Sequence, residues 1–169
     1  LNVGRVGIWK FNSDRSAIIC VDLFEWEEGR HSSGMELSAS TYPLYFRALV
    51  EQEMIIADDA AQNPSTSEFL EGYLQPHGIR SILDVPIIVG GVRTGVLCLE
   101  HLRTLREWTA DEKTFALAMS NLVSLALEGV ERRQAETSLR ESEKRFRQFA
   151  ETIEEVFWMT DPSGGEMIY

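Results

Sequence analysis

RSILDVPIIVGGVRTGVLCLEHL, running from Arg80 to Leu102, holds two apolar, β-branched runs on either side of Gly90-Gly91. That is the sequence form of a hairpin closed by a two-residue turn, because such a turn needs positive φ at its central positions and glycine takes it without steric cost. With the glycines as the turn, Val89 pairs with Val92, Ile87 with Thr94, Val85 with Val96 and Leu83 with Cys98. Side chains alternate along a strand, so those residues share one face. The other face then carries Ile82, Asp84, Pro86, Ile88, Arg93, Gly95, Leu97, Leu99 and His101. The first face is a plain aliphatic wall. The second adds a carboxylate, an imidazole and a bare glycine to its aliphatic residues, and a mostly apolar concavity with a few polar groups is the form of a small-molecule site. The Asp84/His101 face is therefore the expected pocket wall, with Leu97 and Leu99 in it. In the competing reading Asp84 and His101 sit at strand ends and simply meet water.

Upstream of the hairpin, Arg5–Phe11 and Ala17–Trp26 read as strands joined by the polar turn Asn12–Ser16, and Glu27–Ser40 as an irregular loop. Tyr42, Phe46 and Leu49 recur at i, i+4 and i+7, which predicts a short amphipathic helix. Met54–Asp58 is a short strand. Ser65 with Glu68 has the spacing of a capping box for a second helix bearing Phe69, Leu70, Tyr73 and Leu74, ended by Pro76 and Gly78. Tyr42, Phe46, Phe69 and Tyr73 are the expected lid of the pocket. Strand, strand, helix, strand, helix, hairpin is an α+β layout.

Downstream, Thr109 and Glu112 make another capping box, and the next proline is Pro162. Phe115, Met119, Leu122 and Ala126 form a first 3-4 repeat, expected to pack on the sheet. Ala135, Leu139, Ser142, Phe146, Phe149, Ile153 and Val156 form a second, out of phase with the first across Gly129. Leu139, Phe146, Phe149 and Ile153 are the expected seam for the same helix of a second subunit, set against a plain solvated connector. Glu128/Arg132 and Glu136/Arg140 are spaced for i, i+4 ion pairs. Glu155–Thr160 is strand-like, Asp161–Gly165 a turn, and Glu166–Tyr169 a returning strand.

The whole chain of 169 residues can bury a proper core with 44% hydrophobic residues. Its net charge of −11 argues against a nucleic-acid or anionic-membrane surface. No apolar run approaches the ~20 residues of a membrane span, so a cytoplasmic location is expected. Cys20 and Cys98 lie in apolar runs without metal-ligand spacing and read as buried thiols in a reducing compartment. Both ends of the chain fall close to strands, as in a piece of something longer.

Arg5–Trp9, the Asp58-Asp59 turn, Arg80–Ile88 and Gly90–Leu97, taken in order, resemble a GAF domain over Leu1–Gly129, lacking the leading helix of that family. Glu143–Phe149 and Glu155–Asp161 resemble the entry to a PAS domain. The resemblance implies three parts: a sensory domain at 1–128, a helical coiled-coil linker at 129–152 and a truncated PAS start at 153–169. It further implies a six-stranded antiparallel sheet with helices on both faces and a ligand pocket on one. That layout belongs to bacterial signalling proteins, foremost sensor histidine kinases, with diguanylate cyclases and phosphodiesterases sharing it. A structural dimerisation module without ligand is the alternative.

Four chemistries compete. The first is a non-catalytic sensor that binds a small ligand. In the second, a bilin photoreceptor, the family's thiol and the histidine after it fall on Phe69 and Leu70, so covalent attachment there is not expected. The ordered signature of a cyclic-nucleotide receptor is missing. Reduction of methionine sulfoxide needs cysteines close enough to exchange disulfides, which Cys20 and Cys98, in separate strands, do not offer. A haem needs one histidine, and His31, His77 and His101 each stay open for it, although a lone histidine is more often structural. The sequence offers no Ser-His-Asp order, phosphate-cradling loop or zinc-type cluster, and no catalytic residue is assigned.

Overall fold

The structure, a computed structural model, describes residues 1–152, 159–160 and 167–168. Strands β1 (Arg5–Phe11), β2 (Ala17–Glu25), β3 (Arg30–Ser32) and β4 (Glu36–Ser38) precede helix α1 (Pro43–Glu51) and strand β5 (Ile55–Ala57). A 3-10 turn at Ser67–Phe69, a π turn at Leu70–Leu74 and α2 (Gln75–His77) lead into β6 (Ile79–Val89) and β7 (Val92–Leu102). The long helix α3 spans Ala110–Thr152, and the short strands β8 (Met159–Thr160) and β9 (Met167–Ile168) pair with each other. The sheet runs β3-β2-β1-β7-β6-β5, all antiparallel, with β4 also on β2. It has seven strands where the resemblance implied six: five are those read from the sequence, and Glu27–Ser40, expected as a loop, supplies β3 and β4.

Gly90 and Gly91 both have positive φ, 57° and 80°, and Val89 pairs with Val92 as the turn requires. Past Ile88↔Arg93 the register slips, and Ile87 meets Gly95 in place of Thr94. Thr94 is an extra residue, a β-bulge. Every later residue of β7 therefore turns to the opposite face from the one simple alternation assigns. Val96, Cys98 and Glu100 join Ile82 and Asp84; Leu97, Leu99 and His101 join Leu83, Val85 and Ile87. Gly95 has a physical reason to be bare: a Cβ there would lie 2.0 Å from the Trp9 carbonyl oxygen on β1.

Two packed layers result. On one face α1 and residues 60–78 cover Trp9, Ile18, Cys20, Ile82, Val96 and Cys98. On the other, Leu83, Val85 and Leu99 pack with Trp108 and Ala116, and Ile87, Val89 and Leu97 with Met119, Val123 and Leu127 of α3. The stripe of α3 that meets the sheet is thus Ala116, Met119, Ser120, Val123, Ser124 and Leu127. Of the expected stripe only Met119 packs there; Ala126 is exposed, Phe115 is 50% exposed and Leu122 57%.

The expected capping boxes fare differently. Thr109 and Glu112 form theirs, with reciprocal bonds of 3.0 and 3.3 Å. Glu68 instead accepts from the Tyr45 amide at 2.8 Å and so caps α1, while the Arg93 guanidinium donates to Leu49 and Gln52 carbonyls at its far end. An anion at the N-terminus and a cation at the C-terminus both match the helix dipole. Pro76 lies inside α2, and Gly78, at φ 64°, ends it.

The chain divides into two compact units, Leu1–Glu128 and Gly129–Tyr169. Within the second, Arg132 pairs with Glu136 at 3.7 Å, and Leu139, Phe146 and Phe149 are 61–68% exposed. Ile153 lies outside the described residues, as do residues 155–158 and 161 of the segments resembling a PAS entry. Among the described residues no helix is long and apolar enough to cross a membrane.

Gly95→Ala should destabilise the first unit by at least about 3 kcal/mol, since the added methyl meets backbone that cannot step aside. Urea titration followed by tryptophan fluorescence measures this. A loss below about 1 kcal/mol would mean that the bulge relaxes freely.

Candidate functional site

Two carboxylates are buried on the face under α1 and the π turn. Asp84 and Glu100 are each 2% exposed. Each is met by a tyrosine from a different covering element: Tyr45 of α1 donates to Asp84 Oδ2 at 2.5 Å, and Tyr73 of the π turn donates to Glu100 Oε1 at 2.7 Å. The register explains the grouping. Asp84, Cys98 and Gly7 lie in one row across β6, β7 and β1, and Ile82, Glu100, Arg5 and Glu25 in the next, extended onto β2. The guanidinium of Arg5 sits 3.1 Å from Glu100 Oε2 and 3.6 Å from Glu25, and it lies 5.5 Å from the Tyr73 ring centroid. Its approach to Glu100 is ionic, not a directed hydrogen bond, because Arg5 Nη1 and Glu100 Oε2 have no bond of good geometry. Glu25 in turn takes Arg30 at 2.6 Å.

Burial pushes the Asp84 carboxyl up to about 7, against hydrogen bonds from Tyr45 and Cys98 that favour its ionised form. Burial likewise raises Glu100, with Arg5 and Tyr73 pulling it back. Both tyrosines stay neutral donors, held well above their ordinary range by burial and the neighbouring carboxylate. Burial raises the Cys98 thiol and takes the Cys20 thiol up to about 11, so neither is a ready nucleophile. Asp84 Oδ1 and the Trp9 indole nitrogen are buried without a partner. Trp9 lies over Gly7, where a Cβ would come within 2.7 Å of that nitrogen.

Rings fill the rest. Phe69 stands 4.5 Å from both Tyr42 and Tyr45 and 5.7 Å from Tyr73, and Trp9 meets Tyr73 edge-on at 6.3 Å. A π turn is a rare device that concentrates at functional sites. This one brings Gly72 against the Tyr42 hydroxyl and aims Tyr73 at Glu100. At the outer rim a cleft of about 250 Å³ is lined by Arg5, Glu25, His77 and Arg103.

Asp84, Tyr42, Phe46, Phe69 and Tyr73 share this face, but Leu97, Leu99 and His101 do not. The bulge carries them to the α3 side, where His101 bonds Thr104 at 3.0 Å. His31 is exposed on β3 and pairs with Asp22 at 2.9 Å, while His77 edges the Tyr73 ring at the cleft. Tyr45, Arg5, Glu100, Cys98 and Trp9 belong to the site, although the sequence reading left them out of it. Glu100 was detectable as an acid inside an apolar strand, and the bulge as a glycine following Thr94.

β6 connects this face to the outgoing helix. β5 pairs with β6 only as far as Asp84, so the edge beyond has no strand neighbour. α3 satisfies that edge: Ser120 donates to the Pro86 carbonyl at 2.6 Å, the Ile88 amide donates to Ser124 at 3.1 Å, and the Gly90 amide to Glu128 at 3.0 Å. Four-residue steps on a helix rise ~6 Å, near the ~6.7 Å of two-residue steps on a strand, so the partners stay in step.

Residues 1–127 match the family profile described as GAF domain. No curated protein matches the chain. Among solved structures, the blue-light absorbing PixJ GAF domain of Thermosynechococcus elongatus is 19% identical, with a TM-score of 0.67, over 82% of this chain and 83% of that one. The GAF domain of a two-component sensor histidine kinase from Bacillus halodurans is 19% identical, with a TM-score of 0.61, over 79% and 87%. A GAF domain from a Coxiella burnetii phosphoenolpyruvate-protein phosphotransferase is 14% identical, with a TM-score of 0.60, over 79% and 76%.

The raised Asp84 carboxyl fixes the sign of a stability effect. The fold favours its protonated form, so its contribution is full below its ordinary value of 3.8 and is lost as pH rises towards about 7. Asp84→Asn should therefore gain on the native protein as pH rises from 5 to 8, by roughly 1–3 kcal/mol at the upper end. Thermal denaturation of both proteins across that range checks it. A native protein that gains on the variant as pH rises would refute the assignment.

Proposed function

The chain belongs to the GAF domain family, and from that premise we propose that it is the sensory module of a bacterial multi-domain signalling protein, foremost a sensor histidine kinase. In this reading a small ligand acts on the face under α1 and the π turn, and α3 passes the change to the twin helix of a second copy. The observation that carries it is the continuity from latched face to helix. Tyr45 holds Asp84 on β6, and β6 holds α3 through Ser120, Ser124 and Glu128. A buried carboxyl that lacks one partner is costly to a fold and needs a reason beyond packing. Residues from 153 onward are read as the opening of a PAS domain, and the whole as cytoplasmic.

The outer side of α3 supports pairing with a second copy. Phe115, Leu122 and Leu125 are half or more exposed in the first unit, and Leu139, Phe146 and Phe149 in the second, where Leu139 and Phe146 stand seven apart. An apolar line of that period suits a parallel partner helix. A second reading, a dimerisation module without ligand, draws support from how fully Trp9, Tyr45 and Phe69 fill the covered face. His101 is on the far face, while His77 edges the Tyr73 ring of this one.

Sedimentation equilibrium tests the pairing. The native chain should be a dimer, and Leu139→Glu with Phe146→Glu should weaken it at least tenfold. Leu125→Glu should do the same if the seam begins in the first unit. A native monomer at every concentration would end this reading.

A further inference from the structure

We propose that Asp84 is a proton-operated latch: gain or loss of one proton there changes how α1 is held on the sheet, and β6 carries that change to α3. The proposal rests on the reading that the α1 face is the module's input, and it names the proton as one thing that input reads.

The geometry of the latch is specific. Asp84 lies in the row where β5 begins to pair with β6, opposite Ile55, and its only bond to α1 is the 2.5 Å contact from Tyr45. α1 offers Tyr45; β7 offers the Cys98 thiol and, one row on, Glu100; β5 offers Ile55, which does not titrate. Arg5 of β1 and Tyr73 of the π turn face Glu100 instead. No cation therefore stands against Asp84, and the nearest charged neighbour is another carboxylate. Oδ1 has no hydrogen bond of good geometry.

An ionised Asp84 keeps two donors, Tyr45 and Cys98, and leaves a bare anionic oxygen in an apolar wall. A neutral Asp84 removes that charge and relieves its repulsion with Glu100. The two states thus ask for different surroundings, which is what a two-state element needs. Relief of the charged state has two routes: water reaches Oδ1 past α1, or the strand edge shifts. Either one disturbs β6 at Asp84, two residues from Pro86 and four from Ile88, where α3 is bonded. Burial places the Asp84 carboxyl near neutrality, where cellular pH can change its charge.

The test uses the whole chain. Carboxyl carbon NMR from pH 5 to 9 follows Asp84 directly in the native protein, and amide hydrogen exchange, corrected for the intrinsic rate, follows α1 and residues 116–128 of α3. The expected result is an Asp84 midpoint between 6 and 8, with protection in both helices falling at least tenfold across it. Asp84→Asn should flatten both responses. Should that variant fail to fold, Tyr45→Phe serves, and it should move the midpoint upward because a donor to the ionised form is gone. Ser120→Ala with Ser124→Ala should keep the α1 response and lose that of α3. An Asp84 midpoint below 5, an equal response in Asp84→Asn, or an α3 that does not follow in the native chain would each overturn the proposal. None of these outcomes touches the helix seam, which sedimentation judges separately.

Discussion

Thr94, the extra residue of β7, is the constraint on which the layers depend. A strand has only two faces, so one inserted residue exchanges the destinations of all that follow it. Without the bulge, Leu97 and Leu99 would point at α1 and the π turn, and Glu100 and Cys98 at α3. With it, the aliphatic residues of β7 face the helix that leaves the domain, and its acid and thiol face the covering elements. Gly95 is what lets the kinked strand lie against β1, since a side chain there would occupy the space of the Trp9 carbonyl. Bulge and glycine act together.

What the bulge assembles is expensive. Removing a carboxylate from water costs several kcal/mol even after the protein relaxes. Glu100 recovers part of that from Arg5 and Tyr73, and Arg5 is shared further with Glu25. Asp84 recovers less, having two donors and no cation. Apolar residues of like volume in these rows would make a more stable core. The pairing of each acid with a tyrosine from a separate covering element gives the arrangement its meaning. Docking of α1 and docking of the π turn each report on a different carboxyl.

Much of this was legible in the chain and some was not. Gly90-Gly91 announces its turn, and the β1, β6 and β7 runs announce their strands, because local backbone chemistry sets both. Asp84 was legible as a polar residue on an apolar face. Its neighbours on β7 were not, because alternation counted from the turn carries no mark of a bulge except the glycine after Thr94. Glu68 shows the limit of local motifs: spaced for its own helix, it caps α1, where the Tyr45 amide offers a better partner. Tyr45 itself escaped notice because it sits between Tyr42 and Phe46, which carry the obvious helical period.

α3 misled for a more instructive reason. Hydrophobic periodicity assigns the apolar stripe to the nearest core, yet here the sheet side takes Ala116, Ser120 and Ser124 and the outer side keeps Phe115, Leu122 and Leu125. The free edge of β6 explains the inversion. Its unpaired carbonyl at Pro86 and amide at Ile88 need polar partners at helical spacing, and an unsatisfied buried backbone group costs more than an exposed leucine. Serine two turns apart from alanine lets the helix approach closely enough to supply them. Phe115, Leu122 and Leu125 are left on the far side, where only another apolar surface can use them. A helix built this way is fastened to its sheet by directional bonds in a fixed register as well as by the contacts of Met119, Val123 and Leu127 with Ile87, Val89 and Leu97. Directional bonds break and remake in discrete steps, so an edge fastened in this way favours a choice between registers over a gradual strain.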